Sequence, residues 1–409
     1  MSDNTGETEP QEAPEAHDHG PDEASPPPQR WDTFAGSRRL GRAVSSQRTA
    51  GIVAEVTDRI GTFRRERKLG KGTLRATYVA AYRGYVAQGR AHLRLRITEE
   101  PVVPSPAAVL ADPDVLRTNL RRFLTLPFPG VRAIVSVAQA TDRVEADRRG
   151  FATSNPRVGE LVPGWHDYRV TTEPDDDDEE PTVARGQLLV PDPTADVWVI
   201  SDIDDTILQT GLAEGLSAVK NTLFGQARTR RAVPGMSTLY RAIEAGMPGV
   251  GRAAFFYVST GPWNLYDMLT DFMQVRGFPA GPLFLTDWGP QERYITRNGS
   301  AHKRSTLRRL FDHYPDARFV LIGDAGQKDA ENYTLMAKEH PDQVVAIVIL
   351  DVGLSDRAAE AEEWETVARS AGVEFRFVAD ARHAAQVLAD LGVIAEAAVT
   401  AVAAAYERV

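Results

Sequence analysis

The spacing of apolar residues changes once along this chain. Between residues 73 and 190, apolar and polar positions alternate over short stretches, the pattern of strands with one buried face. Segments 77–86, 91–97, 133–138, 150–153, 165–170 and 186–190 favour strands; 91–97 alternates strictly and 133–138 alternates again. A helix is predicted among them at 115–124, and a short helical segment at 38–60 precedes them. Short strands at close spacing predict a mainly β, sandwich-like domain over 38–190. After Pro191-Asp192-Pro193 the rhythm becomes strand, helix, strand, helix. Segment 344–350 is apolar at every position, as a strand covered on both faces requires. Segments 358–371, 381–391 and 395–406 read as helices, with a strand at 375–378. The second half, 195–409, therefore predicts an α/β domain with a doubly wound parallel sheet. Such sheets bind ligands beyond the carboxyl ends of their strands.

Composition changes the picture at the ends. Residues 1–30 are rich in Glu, Asp, Pro and Gly and offer almost nothing to bury, so a disordered tail is expected there. That stretch also lacks the cationic start and apolar core of a secretory signal, and no apolar run reaches membrane-spanning length. A cytoplasmic protein, peripheral at most to membranes, is expected. The net charge of −10 argues against a general nucleic-acid binder. The absence of cysteine excludes disulfides, thiolate metal sites and thiol nucleophiles. The acidic run 175–180 reads as a solvated loop, because consecutive carboxylates cannot all face one ion.

Candidate chemistry is concentrated at predicted strand ends. The apolar run 197–200 ends in Ser201-Asp202-Ile203-Asp204-Asp205-Thr206. Two carboxylates at one strand tip repel and raise each other's pKa. A hard divalent cation such as Mg²⁺ removes that conflict. Downstream, strand 255–258 ends in Ser259-Thr260-Gly261, and His302-Lys303-Arg304 opens a helical pattern with Leu307, Leu310 and Phe311 on one face. Strand 319–322 then ends in Gly323-Asp324, with Asp329 five residues on.

This ordered set resembles the four-motif signature of the haloacid dehalogenase superfamily. The resemblance implies Asp202 as nucleophile, forming an aspartyl-phosphate, and Asp204 as the acid and base for leaving group and water. It also implies Ser259 and the amides near Gly261 as holders of phosphoryl oxygens, and Lys303 as the neighbouring cation. Mg²⁺ would be held by Asp202, Asp324 and the Asp204 carbonyl. Thr206 would bond the loop backbone, and Asp329 would hold a metal-bound water or Lys303. Finer features, Ser259-Thr260-Gly261-Pro262-Trp263 and Gly323-Asp324-Ala325-Gly326-Gln327-Lys328-Asp329, are similar to the phosphatidate phosphatase family whose yeast member is associated with cortical actin patches. Tyr82-Arg83-Gly84-Tyr85 resembles that family's N-terminal part more loosely. Thr260-Gly261 departs from the family's Ser/Asn-Ser, a difference that bears on substrate preference. What the family implies is Mg²⁺-dependent release of phosphate from phosphatidate, an anionic phospholipid; Trp263 and Gln327 are read as candidate contacts for substrate or membrane.

Between the first two motifs, segment 212–231 places Leu216, Val219, Leu223 and Phe224 on one helical face, beside Lys220, Arg228, Arg230 and Arg231. An apolar stripe flanked by cations suits transient contact with an anionic membrane; a small flap packed on the core explains the same pattern. Three functions stay open on the sequence: a lipid phosphatase, a phosphatase of the same fold acting on a soluble phosphoester, and a non-catalytic scaffold.

Overall fold

Alternating burial builds the first half of the molecule. The computed structural model describes residues 77–99, 126–174, 180–209, 231–286, 299–353 and 355–408. The expected tail at 1–30, the helices at 38–60 and 115–124, the acidic run apart from Glu180, and segment 212–231 apart from Arg231 lie outside them. Eight strands come first: β1 (Thr77–Ala81), β2 (Gly84–Ala87), β3 (Arg90–Glu99), β4 (Arg132–Val137), β5 (Ala140–Glu145), β6 (Phe151–Ser154), β7 (Gly164–Glu173) and β8 (Val183–Val190). They pair in the order β1-β3-β2-β8-β7-β4-β5, with β6 also on β3. Pairing is antiparallel except between β2 and β8. Alternate residues of β3, β4, β7 and β8, among them Leu93, Leu95, Val135, Tyr168 and Leu188, enter one core.

The sequence pattern merged β1 and β2 into one strand. In the structure the chain breaks at Tyr82-Arg83, because the Tyr82 ring turns away to pack on Trp263 and Tyr266, with centroids 4.4 and 4.6 Å distant. A tight turn then joins β2 to β3 through Gln88 and Gly89, at φ 51° and 69°. Two successive positive φ values match the twist of a hairpin.

The second half alternates as expected. Its strands are β9 (Trp198–Asp202), β10 (Phe255–Pro262), β11 (Leu283–Thr286), β12 (Phe319–Asp324), β13 (Val344–Leu350) and β14 (Glu374–Val378). Its helices are α1 (Met236–Ala245), α2 (Tyr266–Arg276), α3 (Gly299–His313), α4 (Asp329–Glu339), α5 (Ser355–Ser370), α6 (Ala381–Asp390) and α7 (Glu396–Tyr406). The six strands lie parallel in the order β11-β10-β9-β12-β13-β14. Successive side chains of a strand point to opposite faces, so each strand feeds two cores. Val199, Phe255 and Val320 pack with α1, α2 and α6. Ile200, Phe256 and Leu321 pack with α3 and α4. Helices thus cover both faces, and β9 and β12 have no exposed residue. Each fully buried Leu, Ile or Phe contributes about 1.5–3 kcal/mol, and this concentration of them makes the central strands a rigid base for their tips.

The two regions touch through side chains. The Arg83 amide donates to the Tyr266 hydroxyl at 2.8 Å. Arg96 Nη1 donates to Asn264 Oδ1 at 2.8 Å. Tyr85, from β2, is part of the core under α3.

Candidate active site

Strand register brings the sequence motifs together. Asp202 lies level with Val258 on β10, so Ser259 stands one step beyond it. Ser201 lies level with Ile322 on β12, so Gly323 is beside Asp202 and Asp324 one step beyond. Neighbouring strands are about 4.8 Å apart. Asp202, Ser259 and Asp324 therefore meet at the carboxyl ends of three adjacent strands. Lys303 arrives from α3, whose Leu307, Leu310 and Phe311 anchor it to the sheet.

Asp202, Asp324 and Asp329 are fully buried, and Lys303 is 2% exposed. Lys303 Nζ lies 2.6 Å from Asp202 Oδ1 and 2.5 Å from Asp329 Oδ1. It also donates to Gln327 Oε1 at 3.2 Å. Burial opposes the charge of Lys303, but Asp202, Asp329 and Asp324 outweigh it and hold the ammonium above its ordinary pKa. Burial pushes the Asp202 carboxyl well up; Lys303 opposes this, and Asp329, Asp324 and Asp204 add to it. Burial and then Asp329 push Asp324 up likewise.

Three buried carboxylates face one ammonium, an excess of two negative charges. One oxygen from each of the three lies within 4.8 Å of the others. That is well inside the separation of about 8 Å beyond which no single ion could bridge two carboxylates. Asp202 Oδ2 and Asp324 Oδ2 are buried with no hydrogen-bond partner among the described residues. Asp329 is committed differently: Oδ1 to Lys303, and Oδ2 to the Asp324 amide at 3.4 Å. Charge excess, hard oxygen donors and two orphaned oxygens fit a divalent cation held by Asp202 and Asp324.

The loop residues are arranged more specifically than the motif indicated. Asp324 Oδ1 accepts from the amides of Gly326 and Gln327 at 2.6 and 3.0 Å, which fixes its carboxylate. Ser259 Oγ accepts from the Gly261 amide and donates to Asp204 Oδ2, both at 2.9 Å. Here the one hydroxyl proton of Ser259 goes to Asp204 and the Gly261 N–H goes to Ser259 Oγ, where the sequence reading had both facing phosphoryl oxygens. Thr206 Oγ1 is buried and bonds no described residue, in contrast to the expected bond to the loop backbone. Trp263, 7% exposed, packs between the β-rich and α/β regions, so its ring is not a membrane-facing surface. Arg231 is exposed; Lys220, Phe224, Arg228 and Arg230 lie outside the described residues.

Three supports escaped the sequence reading. Tyr240 on α1 lies 2.8 Å from Ser201 Oγ, and that hydroxyl also donates to the Asp202 carbonyl at 2.5 Å. The Tyr333 hydroxyl donates to the Ile322 carbonyl at 3.2 Å. Gly323 is the third: a Cβ there would lie 2.6 Å from Asp329 Oδ2 and 2.7 Å from Asp329 Cβ. The buried tyrosines carried no motif, and only the Gly-Asp pair hinted at the glycine.

A parallel sheet with helices on both faces and a buried carboxylate–lysine cluster at its central strand tips defines an α/β protein with a site suited to charge-assisted chemistry. Residues 197–351 match the family model described as "Phosphatidate phosphatase APP1, catalytic domain". The chain is 25% identical over 249 residues to phosphatidate phosphatase APP1 of Saccharomyces cerevisiae, covering 59% of this chain and 41% of that protein. It is 30% identical over 157 residues to an uncharacterized protein of Schizosaccharomyces pombe, covering 38% of this chain and 25% of that one. The chain thus spans less than half the length of these relatives. Among solved structures, the PilB minor pilin of Streptococcus sanguinis aligns at 8% identity over 71% of this chain and 97% of that one. Its TM-score of 0.26 is too low to relate the folds.

Proposed function

We propose that this protein is a Mg²⁺-dependent phosphatidate phosphatase that works through an aspartyl-phosphate on Asp202. The observation that carries the reading is the buried cluster of Asp202, Asp324, Asp329 and Lys303, inside the segment matching the APP1 catalytic domain. On this reading residues 195–409 form a doubly wound, haloacid-dehalogenase-like catalytic domain, and the strands of 38–190 a sandwich-like one. Bound between Asp202 and Asp324, Mg²⁺ would neutralise the carboxylates and phosphoryl oxygens, so that anion can approach anion.

The chain's own residues divide the remaining work. An Asp202 oxygen forms the new bond to phosphorus as the bond from phosphorus to the glycerol oxygen breaks. Asp204, oriented by Ser259, gives its proton to the departing oxygen. Diacylglycerol leaves. Asp204 then takes a proton from the water that attacks phosphorus, and inorganic phosphate departs with Asp202 restored. Lys303, held by Asp329, balances charge on the phosphoryl group throughout. Segment 212–231 is the part we assign to transient membrane contact, with the protein cytoplasmic and peripheral.

The test is phosphate release from phosphatidate vesicles and from a panel of soluble phosphoesters, with Mg²⁺ or with a chelator. The expected result is Mg²⁺-dependent release from phosphatidate. Release from a soluble ester alone would assign the soluble substrate class. Release from none, by folded protein with metal, would overturn the enzyme.

A further inference from the structure

A cavity of about 900 Å³ opens between the β-rich region and the α/β region. It is separate from the carboxylate cluster: Asp202, Asp204, Ser259, Lys303 and Asp324 do not line it, although Thr260 and Gly299 do. One wall is β2 and β3, with Arg83, Arg90 and Arg94; the other is β11 and α3, with Phe284, Arg309 and His313. No described lining residue is acidic, although the whole chain carries a net charge of −10. Four arginines around one cavity in an acidic protein concentrate positive charge there.

The arginines are held in a way suited to anion binding. The Arg309 guanidinium lies 5.3 Å from the Phe284 ring centroid, and that of Arg83 lies 5.7 Å from that of Trp165. Stacking uses the face of a guanidinium, whereas its N–H donors lie along the edge and match phosphate oxygens in pairs. Arg83, Arg90 and Arg309 form no ion pair among the described residues. Three histidines, His92, His302 and His313, also line the cavity. His92 and His313 stack at 4.3 Å. Burial, then His313 and Arg309, hold His92 down to about 4. Burial and Arg309 lower His313 as well. The apolar residues Leu93, Trp263, Leu283, Phe284 and Leu285 share the lining with threonine, serine and asparagine side chains.

The arginines and the aromatic and aliphatic residues of the lining define the ligand. We infer that this cavity is a second binding site, distinct from the catalytic cluster, for an anionic amphiphile with a phosphomonoester head and an acyl chain. Its volume lies in the range of small-molecule sites. The inference goes beyond the phosphatase reading and stands without it. Helix α3 is common to both sites. Ala301, Ser305, Arg309 and His313, at four-residue steps, face the cavity, while Lys303, Leu307 and Leu310 are buried on the sheet side.

The test is calorimetric titration of the full chain, in chelator to block turnover, with dioctanoyl phosphatidate, glycerol 3-phosphate and dioctanoylglycerol. Variants are Arg90→Gln/Arg309→Gln, which changes exposed residues on opposite walls, Arg309→Glu, and Asp202→Asn. Expected is saturable binding of the phosphatidate, tighter than that of either fragment, unchanged by Asp202→Asn. Losing charge-assisted pairs should weaken it at least about tenfold in the double variant, and Arg309→Glu should weaken it too. Unchanged affinity in both arginine variants, with thermal melts like the parent's, would overturn the site. So would binding lost in Asp202→Asn alone, which would assign the ligand to the catalytic cluster. Glycerol 3-phosphate binding as tightly as the amphiphile would overturn the acyl-chain component.

Discussion

Gly323 shows how narrow the tolerances are at single residues. It keeps Asp329 against the β12 tip, and Asp329 in turn fixes Lys303. Gly323→Ala would drive a methyl group into a carboxylate that cannot swing aside without releasing its lysine. Misplacement of about 1 Å near a reacting centre can cost on the order of 100-fold in rate. The expected result is a loss of kcat of that size in folded protein; wild-type kcat would mean that Asp329 does not position Lys303. Asp324 supports a prediction about the metal. Asp202 and Asp329 share Lys303, so Asp324 is the carboxylate left without a lysine. In chelator, Asp324→Asn should melt higher than wild type, because it removes an uncompensated buried charge. Mg²⁺ should raise the melting temperature of wild type by ligand linkage and leave the variant unmoved. A variant that gains as much from Mg²⁺ would place the ion elsewhere. These carboxylates were legible in the sequence because strand-end motifs are local. The pairing of Ser259 with Asp204 was not, because residues 55 apart meet only through strand register.

At the scale of elements, legibility followed apolar contrast. β13 was read at its observed bounds because all its residues are apolar. β5 was missed: its alternating burial involves only half-exposed and exposed residues, ATDRVE, with no apolar rhythm to detect. α1 carries Met236, Leu239, Tyr240 and Ile243 at helical spacing and buries all four, yet no motif drew attention to it. β11 is four residues long, too short for a period to register. Caps are a finer signal. Asp380 at the start of α6 accepts from the amides of Arg382 and His383. Burial is the largest single effect and opposes its charge, but bonds from the Arg382 side chain and from both amides together outweigh it and pull its pKa to about 2. Asp380→Ala should cost about 1 kcal/mol near neutral pH. The sign follows from a folded pKa below the unfolded value of about 3.9. The contribution is present above pH about 4 and lost as pH falls towards about 2. Denaturant midpoints of the two proteins should therefore converge in acid; a constant gap down to about pH 2 would mean that the ionised cap is not the stabilising species.

In the whole molecule, the β-rich region is packed onto the sheet that carries the site. Tyr82, Phe151 and Trp263 form the aromatic joint, with Arg94 5.0 Å from the Trp263 ring centroid. Removing a buried ring of this kind costs about 3–5 kcal/mol, so Trp263→Ala should lower the denaturant midpoint markedly; an unchanged midpoint would mean that the joint adds nothing to stability. The sequence marked Trp263 through its motif but assigned it to substrate or membrane, because the partner ring of Tyr82 lies 181 residues earlier. No helix among the described residues is long and apolar enough to cross a membrane. The central claim is that the buried cluster transfers a phosphoryl group through Asp202. Its most direct test is acid quenching of the full chain during turnover of ³²P-phosphatidate with Mg²⁺, followed by mapping of any protein-bound label. The account predicts an alkali-labile phosphoryl group on Asp202, absent in chelator and in a folded Asp202→Asn variant that no longer releases phosphate. Turnover by that variant, or label on another residue, would contradict it.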